Sequence, residues 1–363
     1  MDLRAKVLVV GGGPAGATAA RFLVRNGIDV IVLEKNLSFI KPCGGCIPSS
    51  ALKEFTIPRT TIKKKVERIK LISPRDEEIN IDLKGGTLAI VTRGEFDTVL
   101  RHLAEEQGAQ VLEGECMQIV DDKLYRTEVR IGKEKTEIVS EYIIAADGVN
   151  SRVRTVLGIK PCKAIFTVSE RINKPITEFC EFWFGSHHAP SFYSWVFPTA
   201  SGSSLGTGTL DQGTINILLE RFKKRRHITQ AGQKRVYRIP IWKGDIHKKG
   251  RILFAGDSAG HVLPFTFEGI YYAMKAGELA AEAIIEKKVK KYKQMWKERF
   301  QKRFTLMDKL KNYFLKDDAH TEKMVALHRR QEVQEASMGL WLQKDPSSRG
   351  LREYIKVFGK FLR

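Results

Sequence analysis

Residues Lys41 to Pro48 read KPCGGCIP, with two cysteines, two glycines and two prolines in eight residues. Three chemistries use such a stretch: a metal clip, a redox disulfide between Cys43 and Cys46, or a single thiol held against a flat cofactor. In the third, Gly44 and Gly45 would let the backbone pass a ring closely, because they carry no side chain to collide with it. A structural zinc site needs a full tetrahedral ligand set, and no second C-x-x-C or paired Cys/His cluster follows, so no metal is expected. C-x-x-C is a redox spacing, but here it sits outside a thioredoxin-like context and Pro42 precedes the first cysteine. The residue types alone leave the question open.

A second chemistry-bearing stretch comes earlier. In VVGGGPAGATAA, Gly11, Gly13 and Gly16 fit G-x-G-x-x-G, with Ala20 at the next small position. The first glycine permits a tight turn, the second lets backbone approach a pyrophosphate, and the third lets helix and strand pack closely. The helix N-terminus then faces the phosphates. Glu34, eighteen residues beyond Gly16, is placed to accept hydrogen bonds from ribose hydroxyls and would repel a 2′-phosphate. That favours FAD or NAD over NADP.

These residues need particular elements under them. AKVLVV is a β-branched run ending in glycines, Ala15 to Asn26 carries a helical mixture, and DVIVLEK is a second apolar run, which together predict strand, turn, helix and parallel strand. Val66 to Leu83 reads as antiparallel strands, and GEFDTVLRHLAEEQGA as a helix that stops at Gly108. Glu137 to Ala146 is another strand, leading into DGVNSR. Cys162 to Leu210 is aromatic, Gly-rich and strand-like, the pattern of a sheet forming one wall of a pocket. RILFAGD (Arg251 to Asp257) returns to a buried strand, followed by a long helix through EGIYYAMKAGELAAEAIIEKK. Beyond Lys287 the chain reads as basic helices.

A chain of 363 residues with 42% apolar and 29% charged residues has the composition of a globular protein with a substantial core. The N-terminus lacks the features of a secretory signal and no window approaches a membrane span, which points to the cytoplasm. Five cysteines cannot form a complete disulfide framework within one chain; Cys116, Cys162 and Cys180 read most simply as small core residues. The net charge of +20 suits anionic partners. It is concentrated: Lys287 to Lys316 holds twelve Lys or Arg against Glu298 and Asp308 alone. REYIKVFGKFLR would place Leu351, Tyr354, Ile355, Phe358 and Leu362 near one helical face, the pattern of a membrane-surface helix or of a solvated basic surface. Nucleic acid is not expected, since no binding module accompanies the charge.

AADGVNSRVR (Ala145 to Arg154) and AGDSAGHVLP (Ala255 to Pro264) resemble, in order and distance, the two later signatures of the FAD-dependent reductase and hydroxylase superfamily. The resemblance makes FAD the cofactor, with Asp257 on the ribityl hydroxyls, Asp147 and Gly148 at the turn beside the cofactor, and Arg93, Gly256, Gly269 and Ile270 among its contacts. The helix N-terminus after Asp257 would stabilise negative charge on reduced flavin. KPCGGCIP resembles the motif at the same place in the geranylgeranyl reductase family of flavoproteins, where a cysteine and paired glycines lie against the isoalloxazine; Cys43, Gly44 and Gly45 match it. Cys46 departs from the family pattern, which carries a small residue such as Ala there. In SFYSWVFPTASGSSLGTG, residues Tyr193, Trp195, Phe197, Pro198, Gly206 and Gly208 reproduce that family's Y-x-W-x-F-P, spacer, G-x-G signature. Positions 193, 195 and 197 share one strand face, a wall suited to a greasy polyene. Phe267 stands where the family usually has glycine, and implies a narrowed pocket or a changed chain-length preference.

The resemblance covers residues 1 to about 285. With the order of elements it implies an α/β fold: a Rossmann-type FAD-binding domain from residues 1–160 and 245–285 and an interposed, mainly antiparallel β-sheet substrate domain over 161–244; the remainder, 286–363, carries no recognised signature and reads from its composition as a basic helical region. The resemblance implies an FAD-dependent reductase of isoprenoid double bonds, with Cys43 as proton relay and NAD(P)H or reduced ferredoxin as electron donor. A flavin monooxygenase acting on an aromatic ring shares the fold and the FAD motifs. A flavin-binding adaptor of membranes or nucleic acid, without turnover, is the non-enzymatic alternative.

Overall fold

A computed structural model describes residues 3–244, 246–342, 344 and 348–359. In chain order, β1 (Leu3–Val10), α1 (Pro14–Arg25) and β2 (Val30–Glu34) form the expected strand, helix and strand. Next come β3 (Cys46–Pro48), α2 (Ser49–Glu54), β4 (Ile62–Val66), β5 (Arg68–Ile72), β6 (Glu78–Asp82) and β7 (Leu88–Val91). α3 (Arg93–Glu105), β8 (Gln110–Glu113), β9 (Glu115–Asp121), β10 (Tyr125–Ile131), β11 (Glu134–Ala145) and α4 (Arg152–Val156) follow. Then the chain runs through β12 (Ala164–Ile172), β13 (Cys180–Trp183), β14 (Ser194–Pro198), β15 (Ser203–Thr209), α5 (Ile215–Arg225) and β16 (Gln233–Pro240). It ends in β17 (Lys248–Lys249), β18 (Ile252–Phe254), α6 (Ile270–Ile285), α7 (Tyr292–Trp296), α8 (Lys302–Phe314), α9 (Asp318–Leu327), α10 (Gln331–Trp341) and α11 (Ser348–Phe358).

The chain divides into two compact units: Met1–Ile40, Gly94–Ala164 and Ile239–Phe304 in the first, Lys41–Arg93, Ile165–Arg238 and Thr305–Arg363 in the second. The sequence reading runs the first domain unbroken to residue 160, whereas here Lys41–Arg93 groups with the second unit.

The first unit is a sheet ordered β17-β18-β11-β1-β2-β8, with β10 and β9 added beside β11. β1 pairs in parallel with both β2 and β11, and β11 with β18, so these strands are buried on both faces and read as continuous apolar runs. Leu8, Ile31, Ile143 and Phe254 all sit in one core cluster. α1 begins with Pro14 at its first turn after Gly13 as N-cap; proline loses nothing there, because that N–H has no intrahelical acceptor.

The second unit carries a sheet ordered β16-β12-β15-β14-β13-β5-β6 and a small sheet β3-β7-β4. In the larger sheet β12, β15, β14 and β13 pair antiparallel in turn, β13 runs parallel to β5, and β5 pairs antiparallel with β6. Val168, Trp183, Val196 and Leu205 form its core with Ile215, Leu219 and Phe222 of α5. α5 was not foreseen, although Ile215, Leu218, Leu219 and Phe222 recur at helical spacing.

The basic helices beyond Lys287 are present, and the terminal one turns part of its apolar face inward. Tyr354 and Phe358 of α11 are buried, stacked on each other with centroids 4.4 Å apart, and Phe358 meets Phe314 of α8 edge-on. Ile355 is exposed, and Leu362 lies outside the described residues. Two of the five apolar positions of this amphipathic pattern, Tyr354 and Phe358, are therefore spent inside the second unit. Among the described residues, no helix is long and apolar enough to cross a membrane.

Candidate functional site

In the first unit, the turn after β1 is closed by contacts that only glycine satisfies. Gly11 has φ +103°, and a Cβ on Gly16 would lie 1.8 Å from the Gly11 carbonyl oxygen. Gly13 differs: a Cβ there would meet nothing within 4 Å, so the middle glycine borders open space at the N-terminus of α1. At the end of β2, Glu34 Oε2 accepts from the Gly12 N–H at 2.7 Å and Oε1 from Asn36 N–H at 3.1 Å. A carboxylate has lone pairs beyond these two bonds. The open space at the helix N-terminus and the strand-end carboxylate fit the phosphates and ribose of a dinucleotide. Sequence reasoning missed Arg101, which is buried and donates to Thr98 Oγ1 at 2.9 Å, Leu37 O at 3.1 Å and Gly12 O at 3.4 Å, fixing this turn from α3.

The two later signatures are tied together in the same unit. The Ser258 hydroxyl donates to Ala145 O at 2.6 Å, and Arg154 Nη1 donates to Ser258 O at 2.8 Å. Asp147 is used locally: its carboxylate accepts from Ser151 Oγ at 2.7 Å and from Val153 N–H at 2.9 Å, bracing the turn through Gly148 into α4. Desolvation holds its carboxyl above the usual range, against the pull of those hydrogen bonds. Gly256 and Asp257 open a single turn of 3-10 helix, and Gly269 caps α6, whose first residue is Ile270. A Cβ on Gly269 would lie 3.5 Å from Asp257 Oδ1, so this carboxylate and the positive end of α6 meet, a place where an anionic group is stabilised. Phe267 has φ +54°, the left-handed backbone that glycine favours.

In the second unit, the thiol loop and the aromatic strand pack directly on each other. The Gly45 N–H points at Cys43 Sγ, 3.4 Å away, and Cys43 is partly exposed. A Cβ on Gly44 would lie 2.6 Å from the ring of Phe197, so the backbone at 44 rests on that ring. Trp195 lies opposite Gly206 on β15, and a Cβ on Gly206 would lie 2.3 Å from the indole; the glycine lets the indole lie flat on its neighbour strand. Gly208 does the same for Phe192. Pro198 ends β14, opposite Ser203.

The wall is not continuous through Tyr193, Trp195 and Phe197 alone. Trp195 and Phe197 have centroids 6.5 Å apart, and Phe182 joins Phe197 to Tyr193, edge-on at 5.1 Å and 5.3 Å. Phe182 stands opposite Trp195 in the sheet, a cross-strand partner that no local motif reveals. The indole Nε1 of Trp195 is buried and has no partner among the described residues. Arg93, 3% exposed, begins α3 and falls in this unit with Cys43, Gly44 and Gly45.

Cys46 meets a partner the sequence did not suggest. Its sulfur lies 3.8 Å from that of Cys180 on β13, and none of the five cysteines is in a disulfide.

The family described as FAD binding domain matches residues 4–286. A geranylgeranyl diphosphate reductase of Oryza sativa chloroplasts is 31% identical over 94% of this chain and 82% of its own length. A digeranylgeranylglycerophospholipid reductase of Methanocaldococcus jannaschii is 30% identical over 81% of this chain and 82% of its own. Among solved structures, a geranylgeranyl bacteriochlorophyll reductase-like protein from Thermoplasma acidophilum superposes with a TM-score of 0.86, covering 100% of this chain and 98% of that one at 24% identity. That last likeness establishes the fold.

Proposed function

The chain belongs to the geranylgeranyl reductase family of FAD-dependent oxidoreductases, and from that premise we propose that it saturates double bonds of a geranylgeranyl chain. The chain's head group would be a diphosphate, lipid, quinone or chlorophyll-type precursor. The observation that supports this reading is the aromatic face of the second unit, where Tyr193, Phe182, Phe197 and Trp195 adjoin one another above glycines. Such a face takes a methyl-branched polyene by area and shape while asking it for almost no hydrogen bonds.

An isolated trisubstituted alkene has no carbonyl to activate it, so its reduction needs the chain held flat, water excluded and a proton placed. FAD, when bound, supplies the hydride chemistry. Gly11, Gly13, Gly16 and Glu34 would hold its adenosine and phosphate portion. Asp257, Gly256, Gly269 and Ile270 would hold the flavin portion, with the Asp147–Gly148 turn, Arg93, Gly44 and Gly45 as further contacts. Cys43 is assigned the proton relay: its sulfur is oriented by the Gly45 N–H and its partial exposure lets it be reprotonated. Pro198, Gly206 and Gly208 set the shape of the substrate face, and Phe267 limits the chain length accepted. The basic residues between Lys287 and Lys316 would draw the protein to an anionic lipid surface, and NAD(P)H or a reduced ferredoxin would be the electron donor.

The test is anaerobic. Flavin is reduced chemically, geranylgeranyl diphosphate or its lipid derivatives are added, and flavin reoxidation and product mass are followed together. Product mass rising in steps of H2, matched to reoxidation, is the expected result. Reduced flavin that persists with every prenyl substrate, yet reoxidises quickly with oxygen and a phenol, would replace this reading with a monooxygenase. Cys43→Ser is expected to lower turnover by about 10²-fold or more, the usual worth of a positioned proton donor; full turnover in that variant removes the assignment.

A further inference from the structure

Cys46 and Cys180 stand 134 residues apart in the chain, yet their sulfurs are 3.8 Å apart within the second unit, at van der Waals contact. A disulfide requires sulfurs about 2.05 Å apart, so the two sulfurs, already in contact, have only a short distance left to close. The two thiols differ in access: Cys46 is partly exposed at the first position of β3, whereas Cys180 is fully buried at the first position of β13. An accessible sulfur that meets an oxidant, backed by an inaccessible one that resolves it, is the layout of a redox-responsive pair.

We propose that Cys46 and Cys180 form a reversible disulfide under hydrogen peroxide. The Cys46 thiolate attacks one peroxide oxygen, the O–O bond breaks, and the departing hydroxide takes a proton to become water, leaving Cys46 as the sulfenic acid. The Cys180 sulfur then attacks the Cys46 sulfur, the S–O bond breaks, and a second water leaves. Two thiols are oxidised and one peroxide is reduced to two waters. A dithiol reductant such as dithiothreitol reverses the exchange.

The bond would join two segments already bearing on the aromatic face. Cys46 follows Gly44, whose backbone rests on Phe197, and Cys180 precedes Phe182 by two positions, where that ring joins Phe197 to Tyr193. Closing it pins the end of the thiol loop to β13, so the loop carrying Cys43 loses freedom.

The experiment treats the full flavin-loaded chain with graded hydrogen peroxide, blocks remaining thiols by alkylation, digests without reduction and reads peptide masses. The expected product is a cross-linked peptide joining Cys46 to Cys180, lighter than the sum of its parts by H2, lost on dithiothreitol treatment and absent from Cys46→Ala and Cys180→Ala. A Cys46 to Cys43 cross-link, sulfinic acid accumulating on Cys46 while Cys180 stays alkylatable, or both thiols surviving peroxide would each overturn the proposal. These readouts are masses of the protein itself and do not depend on which substrate it reduces.

Discussion

The two units use glycine for the same purpose against different obstacles. In the first, a side chain on Gly16 would strike backbone, the Gly11 carbonyl oxygen at 1.8 Å; in the second, a side chain on Gly44 would strike only the ring of Phe197, at 2.6 Å. Backbone held in a parallel sheet cannot withdraw, whereas a ring can be turned or trimmed. The cradle is thus fixed by the fold itself, and the aromatic face by side chains that a few substitutions could reshape. Gly16→Ala is accordingly the most damaging change to expect: it should cost more than the about 1–3 kcal/mol of ordinary overpacking and abolish flavin retention, seen as loss of the flavin absorbance after gel filtration. A Gly16→Ala protein that keeps its flavin and its melting temperature would erase the distinction.

Gly44 gives the converse. Gly44→Ala should cost about 1–3 kcal/mol by overpacking, and Phe197→Ala about 3–5 kcal/mol by leaving a cavity. Because the added methyl occupies space the ring vacates, the double variant should be more stable than the sum by a coupling of about 1–3 kcal/mol, measured by denaturant unfolding. Gly206 supplies an internal control. A Cβ there would strike Val168 O at 2.3 Å as well as the Trp195 ring, so trimming Trp195 should rescue Gly206→Ala far less. Equal rescue at the two positions would mean that the sheet backbone yields as readily as a side chain.

The same difference explains what the sequence disclosed. Gly11, Gly13, Gly16 and Glu34 lie within one strand-turn-helix-strand run, so local spacing reports their geometry, and the matching parallel pairs β1 with β2 and β1 with β11 follow from continuous apolar strands. The aromatic face was half legible: the alternation of Tyr193, Trp195 and Phe197 is written along β14 and the residue that precedes it, but Phe182 enters through the register of β13 against β14, which no short motif encodes. Arg101 and the Cys46–Cys180 contact escaped for the same reason, since each joins segments far apart in the chain. The α5 pattern was present and overlooked because its neighbours on both sides are strand-like. The amphipathic pattern of α11 was real, but periodicity cannot say whether an apolar face meets lipid or the protein's own core, and Tyr354 and Phe358 meet the core.

Acid should touch both units through neutral buried histidines. In the second, His188 is hydrogen-bonded to Ser194 Oγ and to Arg225 Nη1, each at 2.7 Å. The arginine can only donate, so His188 Nε2 accepts and Nδ1 donates; desolvation, then the Arg225 charge, lower its pKa to about 3. In the first, His247 and His261 share a hydrogen bond of 3.0 Å beneath Trp296, and desolvation lowers His247 to about 4 and His261 well below its usual value. Groups whose folded pKa is depressed bind their proton more readily unfolded, so the stability they confer is present above about pH 6.5 and lost progressively as pH falls toward those folded values. His188→Asn should lower stability at neutral pH and flatten part of this decline in melting temperature. An unchanged slope would place the acid sensitivity in the other buried histidines, His247 and His261 of the first unit or His328 of the second, whose pKa desolvation also lowers.

The smallest expected effect inverts the comparison. At Phe267 a bulky side chain stands on a left-handed backbone, φ +54°, which costs a non-glycine residue roughly 1–2 kcal/mol. Phe267→Gly relieves that strain and loses the contacts of a ring that is only partly buried, so the two terms nearly cancel and stability should stay within about 1 kcal/mol of the parent. A backbone strained at no net gain in stability is retained for what the side chain does, and product analysis with prenyl chains of graded length should show Phe267→Gly accepting longer or bulkier chains. If the variant instead melts well below the parent with an unchanged product range, the ring is ordinary packing and the left-handed backbone is simply tolerated for it.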